Sequence, residues 1–158
     1  MDQASLNFMK YFRDTYLADK KGWTVLDVGS RAVYGQKATF RPIFRAYNKF
    51  KYTGMDIVAG RNVDIVGYEN IKGKYNVVIS GNVMEHVKRP WDWLKNLIQY
   101  FTDYICIIAP HTWKEHRHPI DTYRYFPDGM RDLFEYAGIK AIEIKKDSNS
   151  TFGIGTHL

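Results

Sequence analysis

Residues 23–31 read Trp23-Thr24-Val25-Leu26-Asp27-Val28-Gly29-Ser30-Arg31. A short apolar run with β-branched residues that stops at a glycine predicts a strand buried on both faces, followed by a sharp turn. The pattern returns in Tyr52-Thr53-Gly54-Met55-Asp56-Ile57, in residues 62–66 and in Tyr75-Asn76-Val77-Val78-Ile79-Ser80. Residues 104–109 add a fifth run, closed by Pro110. Strands that are apolar on both faces belong to a parallel sheet covered by helices.

Helical signals fall around these runs. Residues 5–17 carry Leu6, Phe8, Met9, Phe12, Tyr16 and Leu17 at amphipathic spacing. Residues 41–47 predict a short helix with Pro42 in its first turn, where a missing N–H costs nothing. Pro90 opens another, with Trp91, Leu94, Leu97, Ile98 and Phe101 on one face. A last helix starts near Pro127, turns Met130, Leu133, Phe134 and Ala137 inward, and ends on Gly138 as C-cap. Residues 141–144 and 151–156 are expected to close the sheet as an antiparallel strand pair. The expectation is a doubly wound, mostly parallel α/β sheet preceded by an N-terminal helix. With no internal repeat or linker, residues 1–158 are read as one domain.

Composition narrows the functional classes. A chain of 158 residues has room for one core, and 45% hydrophobic with 25% charged residues is a globular balance. No apolar run approaches the roughly eighteen residues of a membrane span. Met1-Asp2-Gln3-Ala4 lacks the basic start and apolar stretch of a secretory signal, so the protein is expected to be cytoplasmic. Cys106 is the only cysteine; inside the run 104–109 it reads as a buried, inert thiol. The formal net charge is +6, but Lys and Arg alternate with acids along the chain and form no block. That is a modest pointer to an anionic partner.

In parallel α/β sheets ligands bind beyond the carboxyl ends of the strands. Those ends are the polar stretches 27–31, 56–60, 80–86 and 110–124. Gly29 would let the backbone approach a ligand closely. Asp56, ending a strand just after Gly54, is placed either to accept both hydroxyls of a ribose or simply to face water. No G-x-G-x-x-G occurs, and the interval from Gly29 to Asp56 exceeds the roughly twenty residues of a dinucleotide fingerprint. A nicotinamide cofactor is therefore disfavoured.

Taken in order, VLDVGS at 25–30, YTGMDI at 52–57, NVDIVGYENI at 62–71 and YNVVISGNVMEHV at 75–87 carry a resemblance. They resemble successive signatures of class I S-adenosylmethionine-dependent methyltransferases. Most similar are small, type 11-like methyltransferase domains whose first loop reads DVGSR. The resemblance runs from about Trp23 to Gly138. It implies a Rossmann-like fold of the methyltransferase type and S-adenosyl-L-methionine as cofactor. Asp27, Gly29 and Ser30 would cradle its methionine part, Asp56 would hold the ribose and Ile57 would pack on the adenine. Ser80 and Asn82 would lie beside the methionine and the transferring methyl. Two positions depart from the family: Arg31 stands where a second glycine is usual, and Tyr68 stands where many members place an acid, and would stack on the cofactor instead.

Residues 110–127 are the most unusual stretch, with His111, His116, His118, Asp121, Tyr123, Arg124 and Tyr125. In the family this loop covers the acceptor pocket, and HRHPIDTYRYFP resembles its form. Asp121 and Arg124 would pair to brace it, while His111, His116 and Tyr123 would face the acceptor and Arg124 would help to bind it. A histidine near neutral pKa suits removal of an acceptor proton. His111, at the strand end, is the first candidate and His116 the second. No metal is expected, since His116 and His118 would point to opposite sides of an extended segment. Glu85-His86 matches a pair that in the family caps and braces its loop. The acceptor is expected to be a small molecule or glycan. A nucleic-acid methyltransferase is less favoured, because Ser80-Gly81-Asn82-Val83 is no D/N-P-P-Y/F strand end. The remaining alternative is a non-catalytic binding or assembly module on a degenerate methyltransferase fold.

Overall fold

A computed structural model describes residues 2–33, 35, 38–46 and 49–158. Its strands are β1 (Trp23–Val28), β2 (Phe50–Asp56), β3 (Ile65–Val66), β4 (Tyr75–Gly81), β5 (Phe101–Pro110), β6 (Ile139–Lys146) and β7 (Ser150–His157). They form one seven-stranded sheet in the order β3-β2-β1-β4-β5-β7-β6. Neighbours from β3 to β5 run parallel, whereas β7 is antiparallel to both β5 and β6. This is the Rossmann-like methyltransferase arrangement with an antiparallel C-terminal pair.

Period-two alternation sorts the strand residues onto two cores. Val25, Val77, Ile79, Cys106 and Ile108 pack with Phe8, Met9 and Phe12 of α1 (Gln3–Tyr16) and with Ile43 and Phe44 of α2 (Arg41–Arg45). Leu26, Val28, Val78, Ile105 and Ile107 pack instead with Trp93, Leu94 and Leu97 of α3 (Pro90–Leu97) and with Met130, Phe134 and Ala137 of α4 (Pro127–Ala137). Each such side chain contributes about 1.5–3 kcal/mol on burial, which makes the sheet the rigid frame on which the loops are hung. Burial also pushes the Cys106 thiol up, so it stays protonated and inert.

Helix ends follow local chemistry. Asp2 caps α1 by accepting from the Ser5 backbone N–H at 2.8 Å. Gly138 closes α4 at φ 80° and donates its N–H to Glu135 O, as its position in the sequence predicts. Three expectations need correction. Phe101 does not continue the Pro90 helix; α3 stops at Leu97, a tight turn covers Ile98–Tyr100, and Phe101 opens β5. Trp93, not Trp91, is the buried tryptophan of α3. The third strand shortens to Ile65–Val66 because Asn62 sits at φ 73°, off the strand conformation, with its amide donating to Ser30 O at 2.7 Å. The short helix ends at Arg45, and Tyr47, expected to extend it, lies outside the described residues. No helix of the described residues is long and apolar enough to cross a membrane.

Candidate functional site

The carboxyl ends of β1, β2 and β4 and the loop after β5 open onto one cavity of about 1030 Å³. That is the upper end of the range for small-ligand pockets, about 300–1,000 Å³. Strand order gives it two ends. Asp27, Gly29, Ser30, Arg31, Asp56, Ile57 and Tyr68 line the β2–β1 side. Glu85, His86, His116 and His118 line the other side, where the turn after β4 meets the loop after β5, and Asn82 lies on the wall that joins them.

On the β1 side, Gly29 is required by geometry. At φ 80° an L side chain is strained, and a Cβ there would lie 2.2 Å from Val83 Cγ2. The Gly29 and Ser30 N–H groups both donate to Met55 O, at 2.8 and 2.9 Å, which ties the loop to β2. Asp27 is buried and accepts from the Tyr52 hydroxyl. Burial outweighs that bond and pushes the carboxyl up to about 7. Asp56 accepts from the Arg31 N–H at 3.2 Å and the Val58 N–H at 3.1 Å, with the Arg31 guanidinium Nε at 3.8 Å. Beyond it Ile57 and Val58 are 69% and 48% exposed and form an apolar lip of the cavity. Tyr68 accepts from Trp93 Nε1 at 2.7 Å, which fixes its ring on the cavity wall. Ser80 lies off the lining and donates to Val28 O at 2.7 Å, locking β4 to β1. Asn82, at φ 56°, has a buried side-chain oxygen with no partner.

The histidine side is built by strapping a loop onto a turn. Met84–His86 forms a single 3-10 turn after β4. The loop crosses it with Thr122 N and Oγ1 both donating to Glu85 O at 2.8 Å, and Tyr125 Oη to Met84 O at 2.9 Å. Arg124 holds the loop's own shape. Its guanidinium forks onto Asp121 at 2.6 and 2.7 Å and also donates to Trp113 O and Lys114 O at 2.9 and 3.0 Å. This pairing keeps the Asp121 carboxyl far below the usual range. Asp121 in turn accepts from the His116 N–H at 2.7 Å.

The three imidazoles converge as a result. The His86 ring lies 4.9 Å from that of His116 and 5.6 Å from that of His118, centroid to centroid. The expectation that His116 and His118 point apart fails, because the chain bends at His118 and Pro119 and is not extended there. Glu85 is wholly buried between His86 and His116, and neither of its carboxylate oxygens has a hydrogen-bond partner. Its nearness raises the His116 imidazole. The sequence reading assigns Glu85-His86 only a capping and bracing role; the signal for more was an acid next to a histidine on a strand-end turn.

Of the sequence-derived candidates, Asp27, Gly29, Ser30, Asp56, Ile57, Tyr68, Asn82 and His116 line the cavity together, and His111, Ser80, Tyr123 and Arg124 do not. His111 is 9% exposed, with Nε2 3.1 Å from Asp147 O and Nδ1 against the Thr112 hydroxyl. Tyr123 is an exposed ring beside Trp91.

No family model matches the chain, and no curated protein matches it. Solved structures do match in fold. A SAM-dependent methyltransferase from Aquifex aeolicus superposes with a TM-score of 0.66 at 17% identity, over 100% of both chains. Magnesium protoporphyrin IX methyltransferase from Synechocystis PCC 6803, with bound SAH, gives 0.68 at 13% identity over 99% of this chain and 83% of that one. The (4+2) cyclase SpnF gives 0.72 at 10% identity over 98% and 82%.

Proposed function

We propose that the chain is an S-adenosyl-L-methionine-dependent methyltransferase acting on a small-molecule or glycan-type acceptor. One observation carries this reading: the first glycine loop, the acid ending β2 and the Asn82 turn, distant in sequence, line a single cavity. The residues fit the cofactor. Asp27 would meet its ammonium, with the backbone of Gly29 and Ser30 beside the methionine chain. Asp56 would hold the ribose hydroxyls. Ile57 and Val58 offer the apolar lip, and Tyr68 the ring, for an adenine. The unpartnered oxygen of Asn82 suits a donor beside the methionine, and Ser80 acts from behind by fixing β4 against β1. One solved structure of similar fold is named a SAM-dependent methyltransferase and another a methyltransferase with SAH bound, in agreement with this assignment.

When bound, S-adenosyl-L-methionine supplies a methyl group already activated on a sulfonium. What is left to the chain is to align the acceptor, exclude water and take up a proton where the acceptor is a hydroxyl. The histidine side would perform this last task, with His116, the sequence candidate that lines it, as proton acceptor so long as its Nε2 holds no metal. His111, Tyr123 and Arg124 act at one remove, on the loop that carries His116.

A second reading has one observation in its favour. The Arg31 guanidinium stands 3.8 Å from Asp56, where a ribose would be held, as a non-catalytic binding module on a degenerate methyltransferase fold would allow. Calorimetry with S-adenosylmethionine and with its demethylated product separates the two. We expect binding of both, and the absence of heat and of a thermal shift at millimolar ligand transfers the assignment to the module. A nucleic-acid acceptor is disfavoured by the dispersed positive charge.

A further inference from the structure

We infer that Glu85, His86 and His116 form a binding site for one divalent first-row transition-metal ion, open on the cavity side. The inference concerns this chain's own side chains and holds whether or not the cofactor reading does. It begins from an electrostatic imbalance. A wholly buried carboxylate with two unpartnered oxygens costs several kcal/mol unless a cation or donor sits against it. The neighbouring acid, Asp121, is neutralised by Arg124, but no arginine or lysine pairs with Glu85 among the described residues.

The imidazoles facing Glu85 are oriented as ligands. His86 Nδ1 lies 2.6 Å from Ile120 O, and His116 Nδ1 lies 3.0 Å from Lys114 O. A carbonyl oxygen only accepts, so each Nδ1 carries the hydrogen, and a ring that gives up its other proton to bind a metal presents the lone pair of Nε2. Both lone pairs turn toward one atom: His86 Nε2 is 3.7 Å and His116 Nε2 3.6 Å from Glu85 Oε1. A ring N–H donated to a backbone carbonyl is the usual support of a metal-ligating histidine.

The separations discriminate between a proton and an ion. An N–H···O bond would bring nitrogen and oxygen to about 2.7–3.2 Å. Two ligand atoms each about 2.0–2.2 Å from a shared metal stand about 3.0–3.6 Å apart, depending on geometry. The His116 distance falls at the upper edge of the second range and the His86 distance just beyond it, and the candidate ligand atoms all lie within 4.8 Å of one another, so an ion would draw the three side chains inward by a few tenths of an ångström. Two imidazoles and one carboxylate favour Zn²⁺, Fe²⁺ or Co²⁺ over Mg²⁺, which prefers an all-oxygen shell. Three protein ligands leave at least one position open toward the cavity, where an oxygen of a cavity-bound molecule would coordinate. The sequence expectation of no metal rested on the loop alone, on the alternation of His116 and His118, its prolines and the lack of cysteines. Glu85 and His86 arrive from a different strand end.

The test uses the full-length, tag-free protein, stripped with a chelator and titrated with Co²⁺ and with Zn²⁺ in the absence of any cofactor. We expect one equivalent bound, visible d–d absorption with Co²⁺, and a raised Tm. Glu85→Gln keeps the shape of the buried side chain, and His116→Ala alters a loop residue. Each should lower affinity by about 100-fold or more, since loss even of a residue supporting a ligand costs 10–100-fold. Absence of binding at millimolar metal overturns the site, as does binding that both variants leave unchanged. Metal binding without S-adenosylmethionine binding would sink the methyltransferase reading alone, and the reverse result would sink the metal site alone.

Discussion

At the β1 side of the cavity every carboxylate already accepts a hydrogen bond from the chain, from the Tyr52 hydroxyl for Asp27 and from the Arg31 and Val58 backbone N–H groups for Asp56; at the histidine side neither oxygen of Glu85 accepts one. The first region is held by strand ends in a rigid parallel sheet, and a ligand there must displace or join existing bonds. The second is held by a strapped loop that leaves lone pairs bare. Ligand contacts on the β1 side are therefore expected to be graded and pH-dependent, while removing a group from the histidine side should act nearly all-or-none.

His116→Ala should cut turnover of an identified acceptor by about 10²–10⁴, the usual worth of a positioned proton acceptor, and leave S-adenosylmethionine affinity within a few-fold of wild type. Single-turnover rates together with calorimetry read the two quantities separately. A variant that loses cofactor binding and keeps its fold would merge the two regions into one site and end the comparison.

Asp56→Ala should weaken S-adenosylmethionine by about 1.5–3 kcal/mol, the value of charge-assisted ribose contacts, with little change in Tm. Arg31→Ala keeps the backbone N–H bond to Asp56 but removes the guanidinium 3.8 Å away, and should act in the opposite sense, tightening binding by freeing the outer face of the carboxylate. If both substitutions weaken binding equally, Arg31 is part of the cofactor site and not a competitor for it.

Asp27 gives the same region a pH signature. Its folded-state value of about 7 lies above the roughly 3.9 of an unfolded aspartate. Between those limits the folded chain keeps a proton that the unfolded chain gives up, so this contribution to stability is full below about pH 4 and is lost as pH rises through 7. Asp27→Asn should flatten that slope in melts of the ligand-free protein. Cofactor affinity should run the other way, falling about tenfold per pH unit below 7, because an ammonium partner needs the ionised carboxylate. An affinity that is flat from pH 5.5 to 7 would remove Asp27 from the ligand contacts.

How much of this was legible in the sequence follows the same division. The sheet was readable because apolar runs such as Trp23–Val28 and Tyr75-Asn76-Val77-Val78-Ile79-Ser80 admit one solution, a strand buried on both faces. The β1-side candidates came with it, since Asp27, Gly29 and Asp56 sit where those runs stop. The histidine side was not readable. His86 and His116 meet only through backbone bonds of a loop with no repeating pattern, and His111, which looked best placed by sequence, turns away to Asp147 O. The two breaks in the helix reading have local causes. α3 gives way to the tight turn Ile98–Tyr100 before Phe101, and Trp93 is drawn inward to donate to Tyr68.

Arg124 should give the smallest global effect and the clearest local one. All of its hydrogen bonds stay within the loop, on Asp121, Trp113, Lys114 and Tyr123, and none reaches the sheet. Arg124→Ala leaves the Asp121 carboxylate unpaired, at a cost of about 1–3 kcal/mol, but the loop can relieve it by opening without unfolding the core. Tm should therefore fall by only a few degrees, about 2–4 °C per kcal/mol for a chain of this size. Cleavage within residues 112–124 by a nonspecific protease should rise well beyond what that Tm change predicts, and His116 should lose its position over Glu85, raising the acceptor KM more than it lowers kcat. Arg124→Lys should rescue only part of this, because a single ammonium cannot fork onto a carboxylate and two carbonyls at once. If the loop of Arg124→Ala resists protease as the wild type does, Asp121 and Arg124 do not hold it in place, and the histidine side owes its shape to the straps on Met84 and Glu85 alone.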